Sequence, residues 1–422
     1  MIGMKIIKAM MVKRKKTGDK INQILIFGQD DLFERSILMR QLAFTPPMGW
    51  NTWNTFYDKI SDELVRSTAD AMVEQGLLDA GYEYLILDDC WSSVDRDESG
   101  HLVPDPEKFP YGIKDLADYV HSKGLKFGIY SCCGTRTCAR YPGSFEHEFD
   151  DAKQFAEWGV DYLKYDNCHR PRSQTTPMLY RRMSMALRNS GRDIVLAACQ
   201  WGIDDVHQWI RSSGAQTFRS TVDIQDSWDS IKSTVLSQMD KQNCNAPGCF
   251  NDMDMLVVGM YGKGLNPETS QGGCTDEEYQ THFSLWAMMN SPLIIGCDIR
   301  SMSPKAKEIL TNKEVIAINQ DPEGRSCYKL SVCGDDDSFV LVRPLADGDY
   351  AVGLFNFSER EWKISVDFWD LGLPAAAGLG FKIRDCYAHE DLGVFTEYFA
   401  APLPPHGSGV YRCKVISTDH VV

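Results

Sequence analysis

Eight short apolar runs recur between residues 48 and 298, and most are followed by a stretch with helical periodicity. A chain that alternates strands with helices builds a parallel sheet covered by its crossover helices. Eight strands are also the number that closes a (β/α)8 barrel. We therefore predict a barrel rather than an open sheet. The runs lie near residues 48–53, 82–89, 126–132, 160–167, 193–199, 216–223, 249–255 and 292–298.

The stretches between these runs carry helix signals. SDELVRSTADAMVEQGLLDAG begins with Ser61, a candidate N-cap, and ends on Gly81. FEHEFDDAKQFAEWG, residues 145–159, has the same periodicity. After about residue 325 the pattern changes to alternation, as in FVLVRPL, YAVGLFNF and WKISVDFWDL, which is typical of antiparallel strands. We predict an N-terminal extension of uncertain structure (1–42), a barrel (43–325) and a C-terminal antiparallel β-sandwich domain (326–422).

The composition excludes several partner classes. A net charge of −15 and a pI near 5.1 disfavour nucleic acid and anionic membranes as partners. No apolar run reaches the ~20 residues of a membrane span, and no secretory signal is recognisable, so we expect a cytoplasmic protein. The 14 cysteines are scattered, and Cys132, Cys133 and Cys138 lack the spacing of a zinc site. We expect no metal and no cofactor.

Carboxylates cluster at the ends of the predicted strands, where a parallel barrel builds its active site. One such Asp is as often a helix cap or turn residue, but six on one face are harder to explain in that way. Lys164 and Arg219 would offset their repulsion, and a structural ion pair is the alternative for these two cations. The six are Asp88, Asp89, Asp166, Asp223, Asp252 and Asp254.

Four tryptophans also lie at or beside strand ends, where an indole can lie against a pyranose ring. Core packing is the commoner role for each of them alone. Opposed carboxylates with hydrogen-bonding groups and aromatic rings indicate a sugar site. The four are Trp50, Trp53, Trp91 and Trp201.

Seven motifs, which follow one another along the chain, resemble those of glycoside hydrolase family 27, the α-galactosidases and α-N-acetylgalactosaminidases. The resemblance runs from residue 45 to about residue 322. It implies a retaining exo-α-galactosidase acting on α-galactosides, with Asp166 as nucleophile and Asp223 as general acid/base. The motifs are PPMGWNTWNTF, YLILDDCW, GIYSCCGTRTC, YLKYDNC, FRSTVDIQDSW, FNDMDML and NSPLIIGCD.

The resemblance also implies roles for other residues. Asp88 and Asp89 would bind the 4- and 6-hydroxyls of galactose, Lys164 the ring hydroxyls and Arg219 the 2-position. A disulfide would join Cys138 and Cys168, whereas Cys90 would be a free thiol because Asp58 stands at the position of its partner. The pocket would be lined by Trp53, Tyr130, Cys138 and Asp254.

Two residues bear on the 2-position of the sugar. Gln200 replaces a Glu that many relatives carry, and we expect it to contact this position. Ile203 stands where a bulky side chain excludes a 2-acetamido group, which favours galactose. Three alternatives stay open: an α-N-acetylgalactosaminidase, a β-L-arabinopyranosidase and a non-catalytic galactose-binding protein. The sequence does not fix the oligomeric state, and a homo-oligomer is one option.

Overall fold

The structure is a computed structural model that describes residues 42–270, 272–330 and 337–418. The predicted extension, 1–42, lies outside the described residues except for its last residue. Eight parallel strands form one sheet in the order β7-β6-β5-β4-β3-β2-β1-β8. They are β1 Met48–Asn51, β2 Tyr84–Leu87, β3 Lys126–Cys132, β4 Tyr162–Asp166, β5 Val195–Cys199, β6 Thr217–Arg219, β7 Phe250–Asp252 and β8 Leu293–Ile295.

Each strand lies inside one of the eight apolar runs, which confirms the barrel. The chain just after β7 closes it: the Leu256 N–H donates to the Ile294 carbonyl at 2.7 Å, and the Gly296 N–H donates to the Leu256 carbonyl at 2.9 Å. The helices are α1 Trp53–Phe56, α2 Asp62–Glu74, α3 Leu77–Ala80, α4 Gly112–Ser122, α5 Glu148–Trp158, α6 Thr176–Arg188, α7 Val206–Ser213, α8 Trp228–Leu236, α9 Asp276–Met288, α10 Pro304–Leu310 and α11 Lys313–Asn319.

The helix expected from Ser61 to Gly81 is two helices, α2 and α3. Ser61 is the N-cap of the first, and its hydroxyl accepts the Leu64 N–H at 3.2 Å. The break falls at Gly76, which has a positive φ of 77° that a glycine adopts without strain. In the described part of the chain, every helix is too short or too polar to cross a bilayer.

Antiparallel strands follow the barrel in two sheets with a shared apolar core. A six-stranded sheet has the order β14-β13-β16-β11-β10-β9, and β12 pairs with β15. These strands are β9 Tyr328–Lys329, β10 Ser338–Pro344, β11 Tyr350–Asn356, β12 Trp362–Asp367, β13 Leu379–Asp385, β14 Glu390–Phe395, β15 Tyr398–Leu403 and β16 Ser408–Ser417.

The C-terminal domain contacts the barrel through helices α8 and α9. The His406 ring stacks on Trp228 at 4.5 Å between centroids, and Phe357 meets the same indole edge-on at 5.0 Å. The Thr281 hydroxyl donates to the His406 carbonyl at 2.7 Å. The first residue of α8 is therefore packed against the sandwich.

We expect Ser61→Ala to lower the free energy of unfolding by about 1 kcal/mol, because the Leu64 N–H loses its acceptor at the start of α2. Urea denaturation would measure this. Ser67→Ala is the control, since the Ser67 hydroxyl donates to a carbonyl within the helix and leaves no backbone N–H unpaired when removed. Equal losses in the two variants would contradict the capping role.

Candidate active site

The six carboxylates lie at the C-terminal ends of strands or just beyond them. Asp166 is the last residue of β4 and Asp252 the last of β7, whereas the other four follow the ends of β2, β6 and β7. All are buried or nearly so except Asp223, whose side chain is 45% exposed. The C-terminal end of the barrel thus gathers negative charge where little water reaches it.

Asp88 binds the nearest cation. Its Oδ2 accepts a hydrogen bond from Lys164 Nζ at 2.8 Å and one from Asn51 Nδ2 at 2.7 Å. Although burial opposes the charge on Lys164, the Asp88 carboxylate raises the pKa of the ammonium group above its ordinary value. Lys164 was expected to offset the repulsion among the six carboxylates, and the ion pair that it forms is with Asp88.

Asp89 is held by backbone groups. It accepts the Cys90 N–H at 2.7 Å and the Ala139 N–H at 2.9 Å. Burial raises the pKa of Asp89 to about 6, against the effect of these two donors. Asp88 and Asp89 are therefore adjacent but have different partners.

Asp166 accepts two hydrogen bonds, from the Tyr130 hydroxyl at 3.1 Å and from the Asn167 N–H at 2.8 Å. Burial raises the pKa of Asp166 to about 6, although Lys164 and the Asn167 amide act in the opposite direction. The Tyr130 hydroxyl also lies 3.4 Å from Cys138 Sγ. The structure thus brings Tyr130 and Cys138 close to Asp166.

Arg219 connects two carboxylates at the ends of β6 and β7. Its guanidinium donates to Asp223, and its Nη1 lies 3.3 Å from Asp254 Oδ1. The Arg219 charge lowers the pKa of Asp223, against the smaller effect of partial desolvation of that group. A cavity of about 30 Å³ inside the barrel is lined by Asn51, Tyr162, Lys164, Arg219, Asp252 and Asp254, among others.

Asp254 has a left-handed backbone, with a φ of 83°. Such a conformation is strained for a residue with a side chain, and it costs on the order of 1–3 kcal/mol. The Asp254 carboxylate accepts the N–H groups of Ile224 and Met255, each at 2.8 Å, and the Trp286 indole donates to its carbonyl at 2.7 Å. These contacts hold the residue in its strained form.

Two of the four tryptophans are not available to a sugar. Trp50 and Trp91 are buried, and their indole N–H groups donate to the carbonyls of Cys297 and Tyr130. Their position at strand ends therefore reflects packing. Trp53 is half-buried, and its ring lies 6.0 Å from Lys164 Nζ. Trp53 therefore remains an aromatic candidate for contact with a sugar.

Gln200 is not at the surface of the site. Its side chain is fully buried, and neither amide atom has a hydrogen-bond partner among the described residues. The expected contact of Gln200 with the 2-position of the sugar stays a prediction. Ile203 is exposed in the loop after β5. The sequence signal for Gln200 was its place in a motif, which does not determine the side-chain direction.

The disulfide between Cys138 and Cys168 is present. It joins the loop after β3 to the loop after β4, next to Asp166. The two sulfur atoms and an Asp166 oxygen lie within 4.8 Å of one another. Sulfur in a disulfide is not a thiolate, so this group of three does not make a metal-ligand set. Cys90 is a free thiol, as expected.

Comparison with known proteins agrees with this geometry. The family model described as "Alpha galactosidase A" matches residues 45–321, and the model of the "Alpha galactosidase C-terminal beta sandwich domain" matches residues 335–413. The chain belongs to glycoside hydrolase family 27. The sequence is 45% identical to an α-galactosidase of Coffea arabica over 386 residues, which cover 91% of this chain and 97% of the coffee protein.

Other family 27 proteins resemble the chain over most of its length. Human α-galactosidase A is 42% identical over 352 residues, 77% of this chain and 78% of the human protein. The crystal structure of α-galactosidase I from Mortierella vinacea superposes with a TM-score of 0.80 at 33% identity, covering 89% of this chain and 98% of that one. A β-L-arabinopyranosidase from Geobacillus stearothermophilus gives a TM-score of 0.78 at 26% identity, covering 88% and 97%.

Two residues of the site had no role in the sequence analysis. Asn51 donates to Asp88, and its motif, GWNTW, was recognised without assigning it a function. Asp226 is buried three residues beyond Asp223 and accepts three hydrogen bonds from the connection after β7 and from α9. No sequence pattern distinguishes it from a turn aspartate.

Asp252 provides a test of charge burial. Burial raises its pKa from 3.8 to about 6. The folded protein therefore binds this proton more tightly than the unfolded chain does, so stability increases as the pH falls from about 6 to about 4 and is lost as the pH rises again. We expect wild type to gain stability relative to Asp252→Asn over this window, and no further change above about pH 7.

Thermal denaturation at several pH values would measure this difference. Asp118→Asn is the control, because Asp118 is an exposed partner of Lys114 on α4. A difference between wild type and Asp252→Asn that stays constant with pH would contradict the burial of charge at this position.

Proposed function

We propose that this chain is a retaining exo-α-galactosidase that releases terminal α-D-galactose from oligosaccharides or glycoconjugates. Asp166 is the nucleophile and Asp223 the general acid/base. The observation that carries the proposal is the pair of carboxylates at the ends of β4 and β6, which lie in different electrostatic surroundings in a family 27 chain. Two carboxylates are what a retaining glycosidase requires.

In the first step, protonated Asp223 gives its proton to the glycosidic oxygen while an Asp166 oxygen attacks the anomeric carbon. The bond to the leaving group breaks, and a β-galactosyl ester of Asp166 forms. Asp223, now ionised, takes a proton from water, which attacks the same carbon and releases Asp166. Two inversions give retention of configuration.

The resting electrostatics oppose this distribution of protons. Arg219 favours the ionised form of Asp223, whereas burial favours the protonated form of Asp166. If Arg219 binds the 2-hydroxyl of galactose, as the family resemblance implies, the hydroxyl takes a donor away from Asp223. Loss of that donor raises the pKa of Asp223 and so favours its protonated form.

The other groups fit recognition of galactose. Asp88, Asp89 and Lys164 present acceptors and a donor beside Trp53, as is needed to bind the 4- and 6-hydroxyls. Both aspartates are present, which disfavours the arabinopyranosidase alternative, and Ile203 disfavours the acetamido sugar. The cytoplasmic location, homo-oligomerisation and the exclusion of nucleic acid stay predictions.

The roles of Asp166 and Asp223 can be separated with azide. We expect Asp166→Gly and Asp223→Gly each to lose at least about a hundredfold in kcat/KM on an α-galactoside with an unactivated leaving group. With 4-nitrophenyl α-galactoside and azide, Asp166→Gly should form β-galactosyl azide, since azide replaces the nucleophile. Asp223→Gly should form α-galactosyl azide, since azide attacks the covalent intermediate.

Product configuration is read by NMR, with 4-nitrophenyl glycosides of α-N-acetylgalactosamine and β-L-arabinopyranose assayed alongside. Exchanged anomers in the two variants would reverse the assignment. Faster cleavage of the acetamido sugar by wild type would contradict the inference from Ile203. An inactive wild type would favour the galactose-binding alternative.

The dependence of kcat/KM on pH is also determined by Asp166 and Asp223. Catalysis needs one proton shared between Asp166 and Asp223, so kcat/KM should rise as the pH falls through the upper pKa of about 6 and decline again below the lower pKa. The optimum is therefore acidic. Tyr130→Phe removes a donor to ionised Asp166, which raises its pKa and should move the alkaline limb to higher pH.

Initial rates from about pH 3 to pH 9, corrected for enzyme stability at each pH, would measure both effects. An optimum above neutral pH, or an alkaline limb that moves down in Tyr130→Phe, would contradict this account.

A further inference from the structure

The general acid/base lies on a segment without regular secondary structure, between the end of β6 and the start of α8. Several hydrogen bonds attach this segment to the protein, including those of the Ser220 hydroxyl with Gln238 and Asn251 just after β6. The Arg219 Nε donates to the Thr221 carbonyl at 3.2 Å, and the Ile224 N–H donates to Asp254 at 2.8 Å. On the other side of Asp223, the side chain of Asp226 attaches the segment to residues outside the charged groups of the site.

Asp226 is fully buried. Its carboxylate accepts the Gly262 N–H at 2.7 Å, the Cys274 N–H at 3.2 Å and the Tyr279 hydroxyl at 2.8 Å. Burial of a carboxylate is costly unless such donors surround it. The donors come from the middle of the connection between β7 and α9, from its C-terminal end and from α9 itself. Asp226 therefore ties the acid/base segment to this connection.

The same connection reaches the opposite side of the site. The Leu265 N–H donates to the Thr55 carbonyl at 2.7 Å, and the Thr269 hydroxyl donates to the Asn54 carbonyl at 3.0 Å. Asn54 and Thr55 follow Trp53 directly. The middle of the connection is in close contact with its C-terminal part, since a Cβ on Gly262 would lie 2.0 Å from the Gly272 carbonyl oxygen. The connection thus links the segments that carry Asp223 and Trp53.

We propose that Asp226 is a positioning residue for the general acid: through its three hydrogen bonds to the β7–α9 connection and to α9, it holds the Asp223 carboxyl at the glycosidic oxygen. This inference rests on the proposed function. In this role Asp226 affects proton donation by Asp223. This effect is different from a general contribution to the stability of the fold.

Leaving-group acidity separates these two effects. A 2,4-dinitrophenolate departs with little protonation, whereas a sugar needs the full help of the acid. The ratio kcat/KM reports the step in which that bond breaks. We expect Asp226→Ala to lose at least about 30-fold on melibiose and no more than about threefold on 2,4-dinitrophenyl α-galactoside, with 4-nitrophenyl and phenyl galactosides between them. Asp226→Asn should show a smaller effect in the same direction.

The matched control is Asp321→Ala. Asp321 is also buried and accepts backbone N–H groups, from Glu323 at 3.0 Å and from Ala346 at 3.2 Å, but it belongs to the junction with the C-terminal domain. Its loss should change kcat/KM by one common factor for all four substrates. If Asp226→Ala does not fold, Tyr279→Phe removes one of the three donors and should show the same selective loss.

A loss that is equal for all leaving groups in the Asp226 or Tyr279 variants overturns the inference, and so does a loss confined to KM. Failure of wild type to cleave any of the four galactosides is a different result, because it contradicts the proposed function itself.

Discussion

The Arg219 guanidinium contacts two carboxylates at once, Asp223 and Asp254, in a part of the barrel that excludes most water. Interactions between charges are stronger in such surroundings, and so is the penalty for a charge without a partner. The ion pair between Lys164 and Asp88 is subject to the same two effects, a stronger attraction between the charges and a larger penalty for either charge alone. The remaining carboxylates are accommodated by backbone and hydroxyl donors, and burial raises the pKa of several of them. The pKa of each carboxylate, and with it the chemistry of the site, depends on which cations and hydrogen-bond donors contact that carboxylate.

This distribution also explains the backbone strain at Asp254. A relaxed backbone would direct the carboxylate elsewhere, and Arg219 and the Ile224 N–H would then lose an acceptor. The contacts of one strained residue therefore fix the guanidinium between β6 and β7 and the start of the segment that carries Asp223. Electrostatics and backbone geometry are coupled at this position.

The strands could be predicted from sequence because each is a short apolar run, and the ends of parallel strands meet at one face. The sequence predicted that Lys164 offsets the repulsion among the carboxylates, but not that its long side chain reaches Asp88, which follows a different strand. The burial of Gln200 could not be predicted, since a motif position does not specify a rotamer. The break at Gly76 was missed because helical periodicity continues on both sides of it. The role of each acid came from family resemblance, and its partners came from the structure.

The stacking of His406 on Trp228 has a consequence for how such chains can be recombined. Trp228 begins the helix that follows the acid/base segment, so the C-terminal domain supports one end of that segment and the barrel supports the other. A sandwich taken from another protein would preserve this contact only if it presents equivalent rings at the positions of Phe357 and His406. The barrel and its own sandwich should therefore be transferred together. The boundary between the two domains is a poor place to join parts of different proteins.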